Sequence, residues 1–243
     1  MSVLRIAMWS GPRNISTAMM RAWENRPDCA VSDEPLYAAY LAMTGADHPG
    51  RDEVIAAGET DWRKVADALL GPAPGGKPVW YQKHMSHHLL PGMDTGWIHR
   101  LHNIFLVRDP AEVVASYLRS RATVEPADIG LLQQAALYAE LAAAGRPPTV
   151  IDAGDFLADP EGHLRALCSE LGIDFTPAML AWPAGPRDSD GVWAPYWYDT
   201  VWRSTGFEPP SARPVPRLEG QALAVAEACR PAYEHLHSLR LRP

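Results

Sequence analysis

Residues 4–22 read LRIAMWSGPRNISTAMMRA and predict a strand, a tight loop and the start of a helix. The apolar run Leu4–Trp9 is typical of a buried strand, and the Ser-Gly-Pro sequence after it breaks that strand. The first N–H groups of a helix lack helical partners and lie at the positive end of its dipole. Arg13, Ser16 and Thr17 add a guanidinium and two hydroxyls to this end. The segment therefore predicts an anion site that suits a phosphate.

The second informative segment is residues 102–121, HNIFLVRDPAEVVASYLRSR. Its apolar run predicts another buried strand that ends at Arg108, where open parallel sheets bind ligands. Asp109 and Pro110 are typical of a helix start, because aspartate caps helices and proline suits the first helical position. Ser116 then lies one to two turns into the helix. A guanidinium and a hydroxyl are thus expected near the same sheet edge.

Both segments resemble sulfotransferases, which use 3′-phosphoadenosine 5′-phosphosulfate as sulfuryl donor. The family's 5′-phosphosulfate loop reads roughly Pro-Arg/Lys-Ser-Gly-Thr/Ser-Thr/Ser, and residues 12–17 read PRNIST, with Ile15 where the family has glycine. The family's 3′-phosphate motif has an Arg at a strand end and a Ser eight residues later, as Arg108 and Ser116 do. The resemblance implies donor binding by the following residues: Gly11, Pro12, Arg13, Asn14, Ile15, Ser16, Thr17, Arg108, Ser116 and Arg203.

Three further stretches resemble the family in the same order. Residues 26–35 are similar to the "His-Pro-Asp … Glu-Pro" segment of carbohydrate and protein-tyrosine sulfotransferases. Residues 82–91 are similar to the "Lys-Thr-His … Leu-Leu-Pro" segment of the cytosolic branch. Residues 149–173 are similar to the family's strand, its "Glu-Asp-Leu … Asp-Pro" segment and a helix ending in Leu-Gly-Ile. The resemblance spans residues 4–175, and ordered partial matches are more specific than any one of them.

The resemblance implies sulfuryl transfer, in which a protein group removes the acceptor's proton. Glu34 matches the family's glutamate and is the first candidate for this base. His84 is the second, because an imidazole titrates near neutrality. In a third arrangement Glu34 is the base, Lys83 or His84 steadies the transferring sulfuryl oxygens, and Arg13 stabilises the leaving phosphate. We favour Glu34 because the segment from the loop to Glu34 matches the family without a gap.

Residues 183–216 are rich in proline, glycine and aromatic side chains and show little periodicity. Long irregular segments of this kind are often functional lids. Within it, Arg203–Gly206 resembles the basic segment that closes over the nucleotide in many sulfotransferases. Aromatic walls suit a small apolar or cationic acceptor, whereas a sulfated polymer would need an extended basic track. The expected acceptor contacts are Tyr37, Trp193, Trp197 and Trp202.

Composition and pattern predict one α/β domain over residues 1–243, a doubly wound parallel sheet flanked by helices with a Pro/aromatic-rich lid. The resemblance implies that this domain is sulfotransferase-like and that its sheet is of the P-loop type. The predicted strands are Leu4–Trp9, Ala30–Ser32, Val79–Gln82, Ile104–Val107 and Thr149–Asp152. The predicted helices are Ser16–Asn25, Pro35–Met43, Trp62–Leu70, Ala111–Arg121, Ala127–Ala144, Pro160–Leu171 and Gln221–Leu239.

The charge and cysteine pattern narrow the class of protein further. The net charge of −7 argues against a nucleic-acid surface, and no apolar run predicts a membrane span or signal peptide. Three widely spaced cysteines suit a reducing cytoplasm and show no metal-ligand spacing. We expect a cytoplasmic enzyme without a metal, and a homodimer is one option for its assembly. An acidic chain that binds a polyanion must concentrate its arginines, and the candidates are Arg13, Arg108, Arg119, Arg121 and Arg203.

Two other functions stay open. A P-loop small-molecule kinase would share the fold, but its Gly-Lys-Ser/Thr sequence is absent, and Asp152 is the one candidate for its strand-end Mg²⁺ ligand. A nucleotide-binding module without catalysis is the other alternative. Ile15 in the loop favours that module, whereas Glu34 and His84 favour catalysis.

Overall fold

The computed structural model describes residues 3–209 and 217–243. The strands are β1 (Leu4–Ser10), β2 (Cys29–Asp33), β3 (Val79–Met85), β4 (His102–Val107) and β5 (Thr149–Asp152). The helices are α1 (Ser16–Glu24), α2 (Tyr37–Thr44), α3 (Arg51–Ala57), α4 (Trp62–Leu70), α5 (Pro110–Tyr117), α6 (Pro126–Ile129), α7 (Leu131–Ala143), α8 (Ala153–Ala158), α9 (Pro160–Glu170), α10 (Ala194–Trp197), α11 (Asp199–Arg203) and α12 (Gly220–Ser238).

The five strands form one parallel sheet in the order β2-β3-β1-β4-β5. β1 lies at the centre, and the chain crosses it between β3 and β4 to build the second half of the sheet. Ligands bind such sheets at the carboxyl ends of the strands, near the point where the winding changes direction. The predicted doubly wound α/β fold is confirmed.

Helices cover both faces of the sheet, as the alternation along β1 shows. Ile6 and Met8 join the core formed with α1 and α9, and Ala7 and Trp9 join the core formed with α4, α7 and α12. All four side chains are completely buried. A strand that is buried on both faces reads as a continuous apolar run, which explains why β1 could be recognised from its sequence.

One strand boundary changes the interpretation of the site. β3 continues to Met85, whereas the sequence predicted its end at Gln82. Lys83 and His84 therefore lie within the strand, and consecutive strand residues point to opposite faces of the sheet. Their two side chains consequently reach different parts of the protein.

Other differences concern helices. The helix predicted over residues 127–144 is divided into α6 and α7, because Gly130 takes a left-handed conformation between them with φ 78°. The sequence did not predict α3, whose only buried residue is Val54 and which therefore has little apolar periodicity. The described part of the predicted lid, residues 183–209, contains α10 and α11, and residues 210–216 lie outside the described residues.

The longest helix, α12, closes one face of the sheet. It has 19 residues and contacts α5 and α7. Its buried residues are Val225, Ala226, Cys229 and Leu236. Neither α12 nor any other helix within residues 3–209 and 217–243 combines the length and apolarity needed to cross a membrane.

Candidate functional site

A cavity of about 430 Å³ lies among the loops at the carboxyl ends of β1, β2, β3 and β4. Its volume is within the range of small-molecule sites. The α10–α11 segment forms part of its wall, which places the described part of the predicted lid at the site. The predicted site residues that line it are Pro12, Arg13, Asn14, Ile15, Ser16, Thr17, Glu34, Tyr37, Lys83, Arg108, Ser116 and Trp197.

The loop between β1 and α1 accommodates Ile15 without strain. Ile15 has φ −88°, a negative value that needs no glycine. Asn14 fixes the loop, because its Nδ2 donates to the Leu106 carbonyl at 3.1 Å and its Oδ1 accepts the Ile15 N–H at 2.9 Å. Among the described residues no side chain caps α1, so its first N–H groups remain available to a ligand.

Gly11 has a packing role rather than a place in the cavity wall. A Cβ at this position would lie 2.1 Å from the carbonyl oxygen of Ile129, a distance that no real side chain tolerates. Glycine therefore lets the anion loop approach the backbone before α7 closely. Gly11 is the one member of the predicted loop, residues 11–17, that does not line the cavity.

Arg13, Arg108 and Ser116 are linked by hydrogen bonds. Arg13 Nε donates to Ser116 Oγ at 3.1 Å, and Arg108 Nη1 donates to the Arg13 carbonyl at 3.0 Å. Arg108 Nε also donates to Glu112 Oε2 at 2.8 Å. Burial and the positive charges of Arg119 and Arg108 lower the pKa of Arg13. A bound phosphate would relieve this crowding of like charges and form charge-assisted hydrogen bonds.

Glu34 and Lys83 form a second polar group on the cavity wall. Lys83 Nζ donates to Glu34 Oε1 at 2.6 Å, to Asp33 Oδ1 at 2.8 Å and to Tyr198 OH at 2.6 Å. Tyr198 OH in turn donates to Asp33 Oδ2 at 2.7 Å. Of the two carboxylates, only Glu34 lines the cavity within the described chain, and its side chain is 12% exposed.

The pKa values of Glu34 and Lys83 are both raised by their surroundings. Burial raises the pKa of Glu34, and the opposite charge of Lys83 only partly counteracts it. Burial alone would lower the pKa of Lys83, but Asp33, Glu34 and Tyr198 outweigh that effect and raise it well above its usual range. Lys83 therefore stays charged, and Glu34 is a carboxylate with an increased affinity for protons.

Backbone strain coincides with the two polar groups. Arg13 has φ 55° and Glu34 has φ 40°, and they are the only non-glycine residues with positive φ in the described chain. Such conformations cost of order 1–3 kcal/mol each and cluster at functional sites. Both residues line the cavity, so the strained backbone supports the assignment of this region as the site.

His84 is buried in the core instead of facing the cavity. Its ring stacks on Trp9 with centroids 4.2 Å apart, and its Nε2 lies 3.4 Å from Gln82 Oε1. Burial lowers the pKa of His84 to about 3, so the ring is neutral. The sequence interpretation placed His84 just beyond β3, and the longer strand turns its side chain away from the cavity that Lys83 faces. Of the two candidate bases, only Glu34 reaches the cavity.

The predicted aromatic contacts fall into two groups. Tyr37 and Trp197 line the cavity. Trp193 instead packs edge-on against Tyr37, with centroids 5.1 Å apart, and Trp202 Nε1 donates to Asp190 Oδ2 at 2.9 Å. Trp193 and Trp202 are not part of the cavity wall that the structure describes, and they hold the lid segment in place. The short helices α10 and α11 cause this division, which the irregular sequence pattern did not indicate.

Arg203 also lies away from the predicted nucleotide contacts. It pairs with Asp199 one helical turn earlier, and its side chain is 68% exposed. It does not line the cavity, although the neighbouring Ser204 and Gly206 do. The ion pair with Asp199 within α11 explains why Arg203 is not at the cavity, because it holds the side chain on the exposed side of the helix.

Three histidines belong to the site and were not predicted to line it, namely His48, His87 and His88. His88 stacks on Tyr37 with centroids 4.9 Å apart, and Tyr37 OH contacts His48 Nδ1 at 2.7 Å. The adjacent histidines after β3 were the available signal, since they follow a strand at the ligand-binding edge. His48 gave no such signal, because it reaches the site from the loop between α2 and α3.

The fold and the site define an α/β protein of the doubly wound class with a candidate anion site at the carboxyl edge of its sheet. A family model described as "Sulfotransferase domain" matches residues 4–239. The chain therefore belongs to the sulfotransferase domain family, and the resemblance that its motifs indicated is confirmed.

Solved sulfotransferase structures share the fold. A sulfotransferase from Alicyclobacillus acidocaldarius has a TM-score of 0.55 at 14% identity, with 100% of this chain and 98% of that chain covered. The sulfotransferase domain of the Synechococcus PCC 7002 olefin synthase has a TM-score of 0.53 at 16% identity, with 94% and 95% covered. A sulfotransferase domain from the curacin biosynthetic pathway has a TM-score of 0.52 at 14% identity, with 94% and 98% covered.

Two curated relatives come from Arabidopsis thaliana. "Branched-chain-amino-acid aminotransferase-like protein 2" is 38% identical over 237 residues, which are 95% of this chain and 41% of the relative. "Branched-chain-amino-acid aminotransferase-like protein 1" is 41% identical over 213 residues, which are 86% of this chain and 37% of the relative. The chain thus spans about two fifths of the length of these relatives.

Proposed function

We propose that this protein transfers a sulfuryl group from 3′-phosphoadenosine 5′-phosphosulfate to a hydroxyl or amine of a small acceptor. The observation that carries the proposal is the convergence of two polar groups on one cavity. The Arg13–Ser116–Arg108 cluster suits phosphate binding, and the Glu34–Lys83 pair suits proton removal. The proposal concerns the domain that this chain represents, which matches only part of each aminotransferase-like relative.

The donor set fits a nucleotide with two phosphate positions. Arg13, the uncapped N–H groups of α1, and the hydroxyls of Ser16 and Thr17 would hold the 5′-phosphate. Arg108 and Ser116 would hold the 3′-phosphate. The hydrogen bond between Arg13 and Ser116 supports this arrangement, because it brings the two predicted positions together. When bound, the nucleotide supplies an activated sulfuryl group on a phosphate leaving group.

The remaining chemistry belongs to the protein's own side chains. Glu34 takes the proton of the acceptor hydroxyl or amine as the new bond to sulfur forms. Arg13 and the loop N–H groups stabilise the phosphate oxygen, which keeps the electron pair of the broken S–O bond. Lys83 holds Glu34 Oε1 at 2.6 Å and orients the carboxylate. This orienting role differs from the third arrangement, in which Lys83 or His84 steadies the sulfuryl oxygens, because Lys83 Nζ already donates to Glu34, Asp33 and Tyr198.

The nucleotide preference is the first test. We expect adenosine 3′,5′-bisphosphate to bind at least about tenfold more tightly than 5′-AMP without Mg²⁺, since a charge-assisted contact contributes roughly 1.5–3 kcal/mol. Arg108→Ala should remove most of this preference. Isothermal titration calorimetry with both nucleotides measures it. Arg165→Ala is the matched control, because Arg165 also pairs with a glutamate one helical turn away but is exposed on α9 and does not line the cavity.

Two results of this titration would count against the proposal. Equal affinity for both nucleotides would show that the 3′-phosphate is not recognised. A strict Mg²⁺ requirement with preference for ATP would instead favour the kinase alternative. Asp152, the candidate Mg²⁺ ligand of that alternative, does not line the cavity. Its Oδ1 accepts hydrogen bonds from the N–H groups of Gly154 and Asp155 and caps α8.

The aromatic wall gives a second expected result. Trp197→Ala should raise the acceptor KM about 3- to 10-fold and leave nucleotide affinity unchanged, because Trp197 lines the cavity while the nucleotide contacts lie on other elements. Trp202→Ala should affect KM less, since Trp202 contacts Asp190. Trp62→Ala on α4 is the control for tryptophan removal in general. Steady-state kinetics would contradict the assignment if Trp202→Ala raised KM more than Trp197→Ala.

A further inference from the structure

Arg121 places a positive charge on the cavity wall without an acidic partner. Its guanidinium carbon lies 5.4 Å from the ring centroid of Trp197, and its Nη1 donates to the Asp47 carbonyl at 2.8 Å. No carboxylate among the described residues forms an ion pair with Arg121, and residues 210–216 contain neither aspartate nor glutamate. A half-buried guanidinium of this kind, without a carboxylate partner, can bind an anion of the ligand.

This arginine is separate from the phosphate-binding cluster. Arg13 is hydrogen-bonded to Ser116 and, through its carbonyl, to Arg108, whereas Arg121 contacts Trp197 and the Asp47 carbonyl. Arg121 acts instead on the groups beside Glu34. Burial raises the pKa of Tyr37, the charge of Glu34 raises it further, and that of Arg121 lowers it. Tyr37 therefore lies within the fields of both, and a small ligand beside it could reach the carboxylate and the guanidinium together.

The histidines around Arg121 supply polar groups but no positive charge. Burial and the charge of Arg121 lower the pKa of His48 to about 4. Burial and His48 lower the pKa of His87 to about 3, and burial with its neighbours lowers that of His88 further. His88 is 1% exposed, and its Nδ1 has no hydrogen-bond partner within the described chain. Among the described residues at this aromatic end of the cavity, Arg121 is thus a cation without a carboxylate partner, whereas Lys83 is bonded to Asp33 and Glu34.

We propose that Arg121 binds a carboxylate of the acceptor, so that the acceptor is a small hydroxy or amino acid. The proposal rests on the proposed function, because Glu34 must face the hydroxyl or amine that receives the sulfuryl group. Guanidinium groups match the planar geometry of carboxylates. A single guanidinium also balances one carboxylate, whereas a phosphate monoester carries a charge of about −1.5 to −2. The cationic acceptor that the sequence allowed would be repelled by Arg121.

The experiment compares acids with their methyl esters, which keep the acceptor hydroxyl and remove the charge. The probes are 3-hydroxybutyrate, mandelate, 4-hydroxybenzoate and 4-hydroxyphenylacetate, with glycerol 3-phosphate as a phosphate comparison. Transfer from labelled donor gives kcat/KM for each pair. Calorimetry with adenosine 3′,5′-bisphosphate already bound gives the affinity of each acid independently of turnover. We expect an acid to be preferred over its ester by about tenfold or more.

Variants at position 121 separate charge from packing. Arg121→Met keeps a flexible apolar stem beside Trp197 and removes the charge, so it should abolish the preference for acids without changing adenosine 3′,5′-bisphosphate affinity. Arg121→Lys keeps the charge and should retain part of the preference. Arg165→Met is the matched control on α9, where the arginine is exposed and does not line the cavity. It should leave all these values unchanged.

The possible results distinguish this proposal from the proposed function. Label in neutral esters at the same rate as in acids, unaffected by Arg121→Met, would overturn the carboxylate assignment and support sulfuryl transfer. Preference for glycerol 3-phosphate would also overturn it. Weaker adenosine 3′,5′-bisphosphate binding in Arg121→Met would instead assign Arg121 to the nucleotide. Acid binding that depends on Arg121 without any transfer would support the carboxylate site and count against the proposed function. The absence of transfer together with the absence of Arg121-dependent acid binding would contradict both the proposed function and the carboxylate site.

Discussion

Glu34→Gln is expected to lower turnover by about 10²–10⁴ and to leave nucleotide affinity nearly unchanged. Glutamine keeps the shape of the side chain and its contact with Lys83, but it cannot take a proton. The rate of adenosine 3′,5′-bisphosphate release in the presence of acceptor measures turnover, and calorimetry measures nucleotide affinity. Glu161→Gln on α9 is the control, since Glu161 is an exposed glutamate paired with Arg165.

The pH dependence gives an independent check on the same residue. Burial raises the pKa of Glu34, so the active carboxylate is lost at a higher pH than for a surface glutamate. The rate of the unaltered protein should therefore fall as the pH decreases through a midpoint above about 4.3, the usual glutamate value. Glu34→Gln should abolish this acid limb. If His84→Asn abolished turnover while Glu34→Gln left it intact, His84 would be the better candidate despite its burial against Trp9.

Lys83→Met is expected to destabilise the fold by about 3–5 kcal/mol, because it leaves Asp33 and Glu34 as buried carboxylates without their cation. Chemical denaturation measures the free energy of unfolding. Lys64→Met is the control on α4, where the lysine is 69% exposed, and it should change stability by less than about 0.5 kcal/mol. Combining Lys83→Met with Asp33→Asn and Glu34→Gln removes the uncompensated charges and should recover part of the loss.

The loss in Lys83→Met should also depend on pH. Without the lysine, burial raises the pKa of Glu34 unopposed, so Glu34 holds its proton more tightly in the folded chain than in the unfolded chain, where it ionises near pH 4. The folded state then binds more protons, so its stability falls as the pH rises through this range. We expect the deficit to be larger at pH 7 than at pH 4. An equal deficit at both values would indicate that lost packing, not charge, causes it.

The sequence was sufficient to predict the sheet and the family. Leu4–Ser10 and His102–Val107 are central strands with continuous apolar runs, and both lead directly into loops with chemically distinctive residues. The family match confirms the sulfotransferase interpretation. Residues 12–17 of the predicted loop line the cavity, although the conformation of Ile15 could not be anticipated from the family's glycine.

The rest depended on tertiary structure. The end of β3 was misplaced because Lys83 and His84 are polar, and only the Asp33–Lys83–Tyr198 contacts explain how a lysine is buried inside a strand. The lid residues have no clear period, so the separation of Trp197 from Trp202 could not be predicted from spacing. The carboxylate site that we propose around Arg121 likewise combines residues that are distant in sequence.

The left-handed backbone at Arg13 and Glu34 limits how this protein can be made more thermostable. Glycine adopts positive φ without the steric cost that other residues incur, so replacement by glycine is the ordinary way to relieve such positions. At these two positions it would also delete the guanidinium and the carboxylate on which the proposed activity depends. Selection for heat resistance alone and selection for activity would thus favour different residues at the same two positions, and part of the folding free energy is retained as a cost of function.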